Sequence, residues 1–432
     1  MGEVGVFICN FNKAEMVIKC VRHIMEQTFR DFDIYVVDNA SMDDSVQKLQ
    51  ETYGGEISIL VNEENLGGSG GFGRGIREAM SRGYKYFMLV DNDAFMEPDV
   101  IGVLHGYLED HPEVGICGAK TVHLAQPDKL QDLGGRIDCE HYQWGGILGG
   151  MQDVQGDVIL ECDYVASCCL MARGEAVAKF GGFREENFIY WDDIEWCTKC
   201  WLAGYKVVVN GRAKALHDMS GASVQNMFLK YYANRNRCAF FARYLPQDKL
   251  EDFYLSITKE FYTEIYGCLA KDKYGTVLTL WNAWEDFITG VTGKAAEGRI
   301  VPYVAGGEKF AERICGASRI LMYLPERDSV SHGVMNSVLP YILRCNPSAQ
   351  VEAVFVLDEV DLDKYDLIMQ PCSHVNQVKE NILPRIYVDR WKNTILDEVD
   401  YKYFRDFENA LSLFQDKYRA LFGKCVNGLR EL

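Results

Sequence analysis

"NLGGSGGFGRG", Asn65 to Gly75, places six glycines in eleven residues. Gly68, Gly70 and Gly73 satisfy the G-x-G-x-x-G spacing of a dinucleotide-binding turn, and Asp91 and Asp93 follow at about the 20-residue distance where a ribose-binding acid is expected. Read alone, the stretch indicates NAD. Its position argues against that. A dinucleotide fingerprint follows the first strand directly, because the turn must hold pyrophosphate against a helix start. Here "VGVFICNF" (4–11), "FDIYVVDN" (32–39) and "EISILVN" (56–62) read as three strands before the glycines, and "NEEN" lies between the third strand and Gly67. The stretch also lacks the Lys-Ser/Thr ending of a P-loop.

A fourth strand, "YKYFMLVDND" (84–93), follows the glycines, and helical patterns start near Ala14, Met42, Gly71 and Asp99. Such alternation implies a mostly parallel sheet covered by helices, with ligands gathering at the carboxyl ends of the strands. Those ends are polar: Asn10 and Asn12, then Asp38-Asn39-Ala40-Ser41, then the glycine stretch, then Asp91-Asn92-Asp93. Two carboxylates that flank one residue on a strand point apart unless the chain turns. With a turn, Asp91 and Asp93 can share a hard divalent ion with substrate phosphate oxygens.

The chain has 432 residues, enough for two or three domains, with 48% hydrophobic residues and a formal net charge of −18. That charge opposes attraction to nucleic acid or anionic lipid. No apolar run approaches the ~20 residues that cross a bilayer, and the start, "MGEVGVFICNFNKAE", has no basic signal-peptide region. A cytoplasmic protein is expected. The 15 cysteines are odd in number and scattered through expected core segments, as reduced thiols would be. Cys197 and Cys200 form a C-x-x-C, but no second ligand pair follows at zinc-finger spacing.

From about Ile116 to Ala172, short strands and glycine-rich turns replace the alternation, as antiparallel additions to the sheet would. "YWDDIEW" then opens a helix over about 192–203, and two short strands end near His217. Residues 224 to about 293 read as three helices in which Phe253, Tyr254, Ile257, Phe261, Tyr262 and Ile265 make an aromatic stripe of core type. Glycines from Gly293 to Gly307 read as a linker. "RILMYLP", "QVEAVFVLD", "YDLIMQPC" and "RIYVD" then read as four strands, and a helix covers about 401–422. The expected domains are 1–223, a helical extension 224–305, and a small α/β unit 306–432.

Taken together and in this order, the motifs resemble family 2 of the glycosyltransferases, inverting enzymes of GT-A fold that use nucleotide-sugar donors. "FICNFNKAE" resembles the family's first strand and polar turn, "VVDNASMDDS" its "DNxSxD" element, and "LVDNDA" its D-x-D metal motif. "NLGGSGGFGRG", "YWDDIEW", "ALHDMSG" and "YYANRNRCAFF" are similar to the branch of bacterial cell-wall galactofuranosyltransferases and rhamnosyltransferases. The similarity covers roughly residues 4–245. It implies a Rossmann-like mixed α/β sheet of GT-A type followed by helices, with the small C-terminal α/β unit left unaccounted for.

By the same resemblance, Asn10, Asn12, Asp38, Asn65, Gly67, Gly68, Arg74 and Asn92 would bind the donor, with Arg74 on the nucleotide or diphosphate. Asp91 and Asp93 would hold Mn²⁺ or Mg²⁺, with His217 as third ligand. Asn92 departs from the Asp-Asp-Asp of some relatives. Trp191 would stack on an acceptor sugar, and Asp193 or Asp192 would be the catalytic base, although paired acids at a helix start also serve as caps. The chemistry agrees: the leaving phosphate needs a divalent Lewis acid and the acceptor hydroxyl needs a base. Arg235 and Arg237 lie two apart on a helix, so at most one reaches a phosphate.

The expected activity is transfer of a sugar onto a cell-surface or lipid-linked glycan from the cytosolic side, with galactofuranose from UDP-galactofuranose ahead of rhamnose from dTDP-rhamnose. The expected partners are the nucleotide-sugar donor and the glycan acceptor, without nucleic acid, together with peripheral membrane contact and a homo-oligomer. An NAD-dependent oxidoreductase and a non-catalytic nucleotide-sugar binder are the readings from other classes.

Overall fold

A computed structural model describes residues 2–153, 158–218, 225–306, 309–325, 329–358, 360–379 and 385–431. It divides into two compact units, the first formed by 1–253, 283–299 and 425–432, the second by 254–282 and 300–424. The boundary expected between residues 223 and 224 and the end of the expected linker at Gly307 lie outside the described residues, as do Met219, Ser220 and Gly221 of "ALHDMSG".

The first unit opens with strict alternation: β1 (Val4–Asn10), α1 (Ala14–Met25), β2 (Phe32–Asp38), α2 (Ser45–Tyr53), β3 (Ser58–Val61), α3 (Gly67–Arg82) and β4 (Tyr86–Asp91). Next come β5 (Ala94–Met96), α4 (Val100–Asp110), β6 (Val114–His123), β7 (Gln126–Asp132), β8 (Gly135–Asp138), β9 (Gln143–Gly146), β10 (Ile159–Glu161), β11 (Cys169–Arg173), α5 (Gly174–Phe180), α6 (Asp192–Leu202), β12 (Lys206–His217) and α7 (Met227–Tyr244). The large sheet runs β10-β12-β6-β11-β4-β1-β2-β3, with β5 on β12 and β7 on β6. β1 to β4 are mutually parallel, while β11 runs antiparallel to β4 and β6. The mixed α/β class expected from the sequence is the one observed.

Burial explains the strand composition. Val4, Val6 and Ile8 of β1 face Val17, Val21 and Ile24 of α1, which recur at helical spacing, while Phe7 stacks on Tyr35 at 4.7 Å on the opposite face. A sheet covered on both faces reads as a near-continuous apolar run.

Three differences from the sequence reading have local causes. The helix expected from Gly71 starts at Gly67 and contains all six glycines. Each glycine costs about 1 kcal/mol relative to alanine in a helix, so tertiary packing holds this one. The two strands expected before His217 are one, β12, with register shifts after Lys206 and Asn210. The terminal helix is two, α12 (Glu398–Arg405) and α13 (Phe407–Glu431).

Helices α8 (Leu250–Leu269) and α9 (Tyr274–Ile288) complete the three-helix reading, and Phe253, Tyr254, Ile257, Phe261 and Ile265 are buried as core. Among the described residues, no helix is long and apolar enough to cross a membrane. In the second unit, α10 (Lys309–Cys315), β13 (Arg319–Tyr323), α11 (Ser329–Cys345), β14 (Gln350–Val354), β15 (Leu367–Pro371), β16 (Arg385–Val388) and β17 (Thr394–Ile395) precede α12. Its sheet runs β14-β13-β15-β16-β17, parallel except for the last pair. Ile320, Met322 and Met369 of the sheet cluster there with Val338 and Ile342 of α11.

None of the 15 cysteines is in a disulfide. Cys197 and Cys200 are buried on α6 and face the Val165 and Lys206 carbonyls, so the pair serves packing.

Candidate active site

Strand register builds the site. Asn10 pairs with Asp38 across β1 and β2, and Cys9 pairs with Asp91 across β1 and β4, so the polar ends form one rim. β4 stops at Asp91, Asn92 and Asp93 turn, and β5 leaves antiparallel to β12 with Ala94 opposite His217. This is the turn that two converging carboxylates require.

Asp91, Asp93 and His217 consequently present ligand atoms within 4.8 Å of one another. His217 Nε2 lies 3.4 Å from Asp93 Oδ1 and 3.6 Å from Asp91 Oδ2, while its Nδ1 lies 2.9 Å from Gln131 Oε1. With the glutamine oxygen accepting the Nδ1 proton, Nε2 is the nitrogen that faces the carboxylates, and once deprotonated it would be available to a metal in the way a metal-binding histidine uses. One imidazole nitrogen with two carboxylates suits Mn²⁺ or Mg²⁺, whose remaining positions substrate oxygens and water would fill. A second acidic cluster, Glu3, His105 and Glu109, has Lys85 paired to both carboxylates, so part of its negative charge is already offset.

The electrostatics follow from burial and crowding. Burial and then the neighbouring Asp93 raise Asp91 to about 6, against the pull of His217 and Lys13. Burial is also the largest influence on Asp93, but hydrogen bonding and attraction from His217 and Lys13 outweigh it, and the net direction is down. For His217, burial pushes downward and Asp93 and Asp91 together overcome it, so the imidazole is raised. Lys13, whose ammonium pairs with Asp93, went unmarked in the sequence reading. Its signal was a lone cation directly after Asn12 of the first strand's asparagine rim.

Behind the metal triad, Asp192 and Asp193 begin α6. Asp192 is buried and accepts a 2.7 Å hydrogen bond from Ser69 Oγ on α3. Asp193 is partly exposed; burial and then repulsion from Asp192 raise it to about 7. The Ile194 and Ser167 amides hold its two oxygens at 2.8 and 3.3 Å. A carboxylate poised near neutrality is what a general base needs.

Other expected site residues have different occupations. Asp38 is fully buried, accepting from Asn10 Nδ2 at 2.9 Å and from the Ser41 amide at 2.9 Å; Asn92 Nδ2 donates to Asn10 Oδ1 at 2.8 Å. Asn10, Asp38 and Asn92 thus form a buried brace under the rim. Asn12, at φ 51°, keeps an exposed position and accepts from the Met42 amide. Arg74 Nη1 donates to the Val61 carbonyl at 2.6 Å and to Asn62 Oδ1 at 2.5 Å, tying α3 to the end of β3 instead of standing free for a diphosphate.

The glycines answer to protein atoms. Gly67, at φ 72°, has no room for a Cβ beside the Phe188 carbonyl, and Gly71 has none beside Cys9 Sγ. Gly68 is the exception: a Cβ there would meet only Ile189 Cγ1 at 3.7 Å and Asp192 Oδ2 at 3.9 Å, both ordinary contacts. Asn65 Oδ1 accepts from the Gly67 amide at 2.8 Å and from Asn39 Nδ2 at 3.0 Å. Buried Asn39 also receives Asn62 Nδ2 and the Leu66 amide, organising the start of α3, a role its sequence context did not signal.

Trp191 is 2% exposed, at φ 69°, with Trp144, Phe240 and Phe241 around its ring. The expectation that it stacks on a sugar is corrected, because protein rings cover it. Arg235 and Arg237 are both buried, not solvated: Arg235 bonds the Gly293 and Asn187 carbonyls, and Arg237 reaches Gln143.

Residues 5–163 match the glycosyl transferase family 2 model. The matched segment takes in Asp91 and Asp93 and ends before Asp192, Asp193 and His217. Over 99 residues the chain is 28% identical to the chondroitin synthase of Escherichia coli, covering 23% of this chain and 14% of that protein. Over 105 residues it is 30% identical to the cholesterol galactosyltransferase of Borreliella burgdorferi, covering 24% and 28%. The chain thus spans less than a third of the length of these curated relatives. Among solved structures, a mannosyltransferase from Pyrobaculum calidifontis in complex with GDP-Man and Mn²⁺ aligns at TM-score 0.41 and 15% identity, covering 56% of this chain and 63% of that one.

Proposed function

We propose that the chain is an inverting, metal-dependent glycosyltransferase. The observation that carries this reading is the convergence of Asp91, Asp93 and His217 beside an acid pair of which Asp193 is raised to about 7. Asp193 takes the proton of an acceptor hydroxyl as that oxygen bonds to the donor's anomeric carbon. The bond from that carbon to the donor phosphate breaks, and the nucleoside diphosphate departs with the electron pair. A bound Mn²⁺ or Mg²⁺ supplies Lewis-acid stabilisation of that leaving group.

Asp91, Asp93 and His217 would hold the ion; Asp192, fixed by Ser69, keeps Asp193 basic by repulsion; Gly68 lines the donor wall. UDP-galactofuranose is favoured as donor over dTDP-rhamnose by the similarity of "NLGGSGGFGRG" and "WDDIEW" to the galactofuranosyl branch. The acceptor would be a cell-surface or lipid-linked glycan met from the cytoplasmic side. A peripheral membrane contact and a homo-oligomer belong to the same reading.

The NAD reading is disfavoured because the glycine run is a helix whose glycines abut Phe188 and Cys9. Thermal melting with UDP, dTDP and NAD, each with and without Mn²⁺, tests the assignment, since a ligand that binds only the native state stabilises it by mass action. A manganese-dependent shift with UDP or dTDP is expected. A metal-independent shift with NAD alone would overturn the proposal.

A further inference from the structure

The second unit contains a crevice that the transferase chemistry does not use. From β13 the chain passes through α11 to β14 on one side, then returns to β15 on the other side of β13 and continues to β16. The strand order therefore reverses between β13 and β15. In parallel α/β sheets the loops diverge at such a point and open a binding crevice at the carboxyl ends.

A cavity of about 520 Å³ lies there. Tyr323 at the end of β13, Gln370 near the end of β15, Ser331 in the first turn of α11, and His374, Lys379 and Arg385 are among its walls. Arg385 lies with its guanidinium 5.2 Å from the centre of the Tyr323 ring and donates to Gln370 Oε1 at 3.0 Å. Among the described residues, no Asp or Glu lines the cavity and neither Arg385 nor Lys379 has a carboxylate within ion-pair distance. His374 Nδ1 is buried without a hydrogen-bond partner.

In a chain of net charge −18, cations in a crevice with no acid among its described lining residues are a conspicuous exception. A guanidinium on a rigid strand, an ammonium, an unpartnered imidazole nitrogen and a helix amino end are complementary to a phosphate group. The volume falls within the 300–1,000 Å³ typical of small-molecule sites (about 500 Å³ being far more than a bare oxyanion fills). We propose that this crevice binds a phosphorylated small molecule of nucleotide size, separately from the donor site of the first unit.

The test uses the full chain in EDTA, titrated calorimetrically with uridine monophosphate, adenosine monophosphate and inorganic phosphate. Saturable binding of at least one nucleotide, tighter than inorganic phosphate, is expected, and Arg385→Gln and Lys379→Gln should each weaken it about tenfold, the scale of one charge-assisted contact. Asp91→Asn should leave it unchanged. Lys379 is exposed, so its replacement tests the site even if Arg385→Gln fails to fold. Absence of saturable nucleotide binding, binding that survives Lys379→Gln unchanged, or loss of binding in Asp91→Asn would each overturn the proposal.

Discussion

Ser69 Oγ donates to Asp192 Oδ2 at 2.7 Å, linking the glycine-rich helix α3 to the first residue of α6 across 123 positions of sequence. Burial raises Asp192, and this bond works against burial by stabilising the carboxylate, whose charge lies beside Asp193. The glycines are thus coupled to the acid pair through one hydroxyl, which passes its influence to the proposed base.

A pH profile reads this coupling. A base that must be ionised loses activity as pH falls through its pKa, so kcat/KM should decline below about pH 7, where Asp193 takes up a proton. Asp192→Asn removes the like charge and should move that acid limb to lower pH. Asp193→Asn should reduce kcat by about 10²-fold or more, as loss of a general base does. An acid limb that stays in place in Asp192→Asn would exclude Asp193 as the titrating group.

Gln131 tests the metal site from behind. Its Oε1 fixes the His217 tautomer with Nε2 toward the carboxylates. Gln131→Leu removes that acceptor without touching a ligand, and Mn²⁺ affinity should fall about 10–100-fold, the range for loss of a supporting contact behind a metal ligand. His217→Ala should cost more. Manganese titration followed by electron paramagnetic resonance distinguishes these, and equal affinity in Gln131→Leu and the parent would remove His217 from the ligand set.

Gly67 and Gly55 separate close packing from mere glycine content. Gly67 combines φ 72° with a blocked Cβ position at the Phe188 carbonyl, whereas nothing lies within 4 Å of a Cβ on Gly55. Gly67→Ala should destabilise by about 3 kcal/mol, left-handed strain adding to overpacking. Gly55→Ala should stay within about 0.5 kcal/mol. Denaturant melts of the two variants measure the difference.

The strand–helix alternation and the rim of polar strand ends were legible because β1 to β4 are short apolar runs that each stop at a polar residue, a pattern set by local sequence. The convergence of Asp91 and Asp93 with His217 was legible only through family resemblance, since it depends on β5 pairing with β12 across 120 residues. Arg74, Asp38 and Trp191 carry the right chemistry for ligands, yet Asn62, Asn10 and the rings of Phe240 and Phe241 occupy them. Composition announces what a side chain can bind; which partner reaches it first is decided by packing that no local pattern encodes. The glycine run was misleading for the same reason, because a tight approach of backbone to Phe188 and Cys9 selects glycine as firmly as a phosphate would.

Asn236 holds the turn that delivers the acid pair. Its Nδ2 donates to the carbonyls of Asn187, Ile189 and Tyr190 at 2.9, 2.8 and 3.0 Å, and its Oδ1 accepts from Arg235 Nε at 3.0 Å. Within that turn Phe188, Tyr190 and Trp191 all have positive φ, each costing about 1–3 kcal/mol unless the surroundings enforce it. Only an amide at position 236 supplies a donor to the carbonyls and an acceptor to the arginine. Asn236→Ala should lower the melting temperature and also kcat, because the relaxed turn no longer aims Asp193. Asn236→Asp keeps the shape but sets a carboxylate oxygen against three carbonyl oxygens, and it should be the more destabilising of the two. If the aspartate variant melted at or above the alanine variant, the amide would not be the group that restrains this turn.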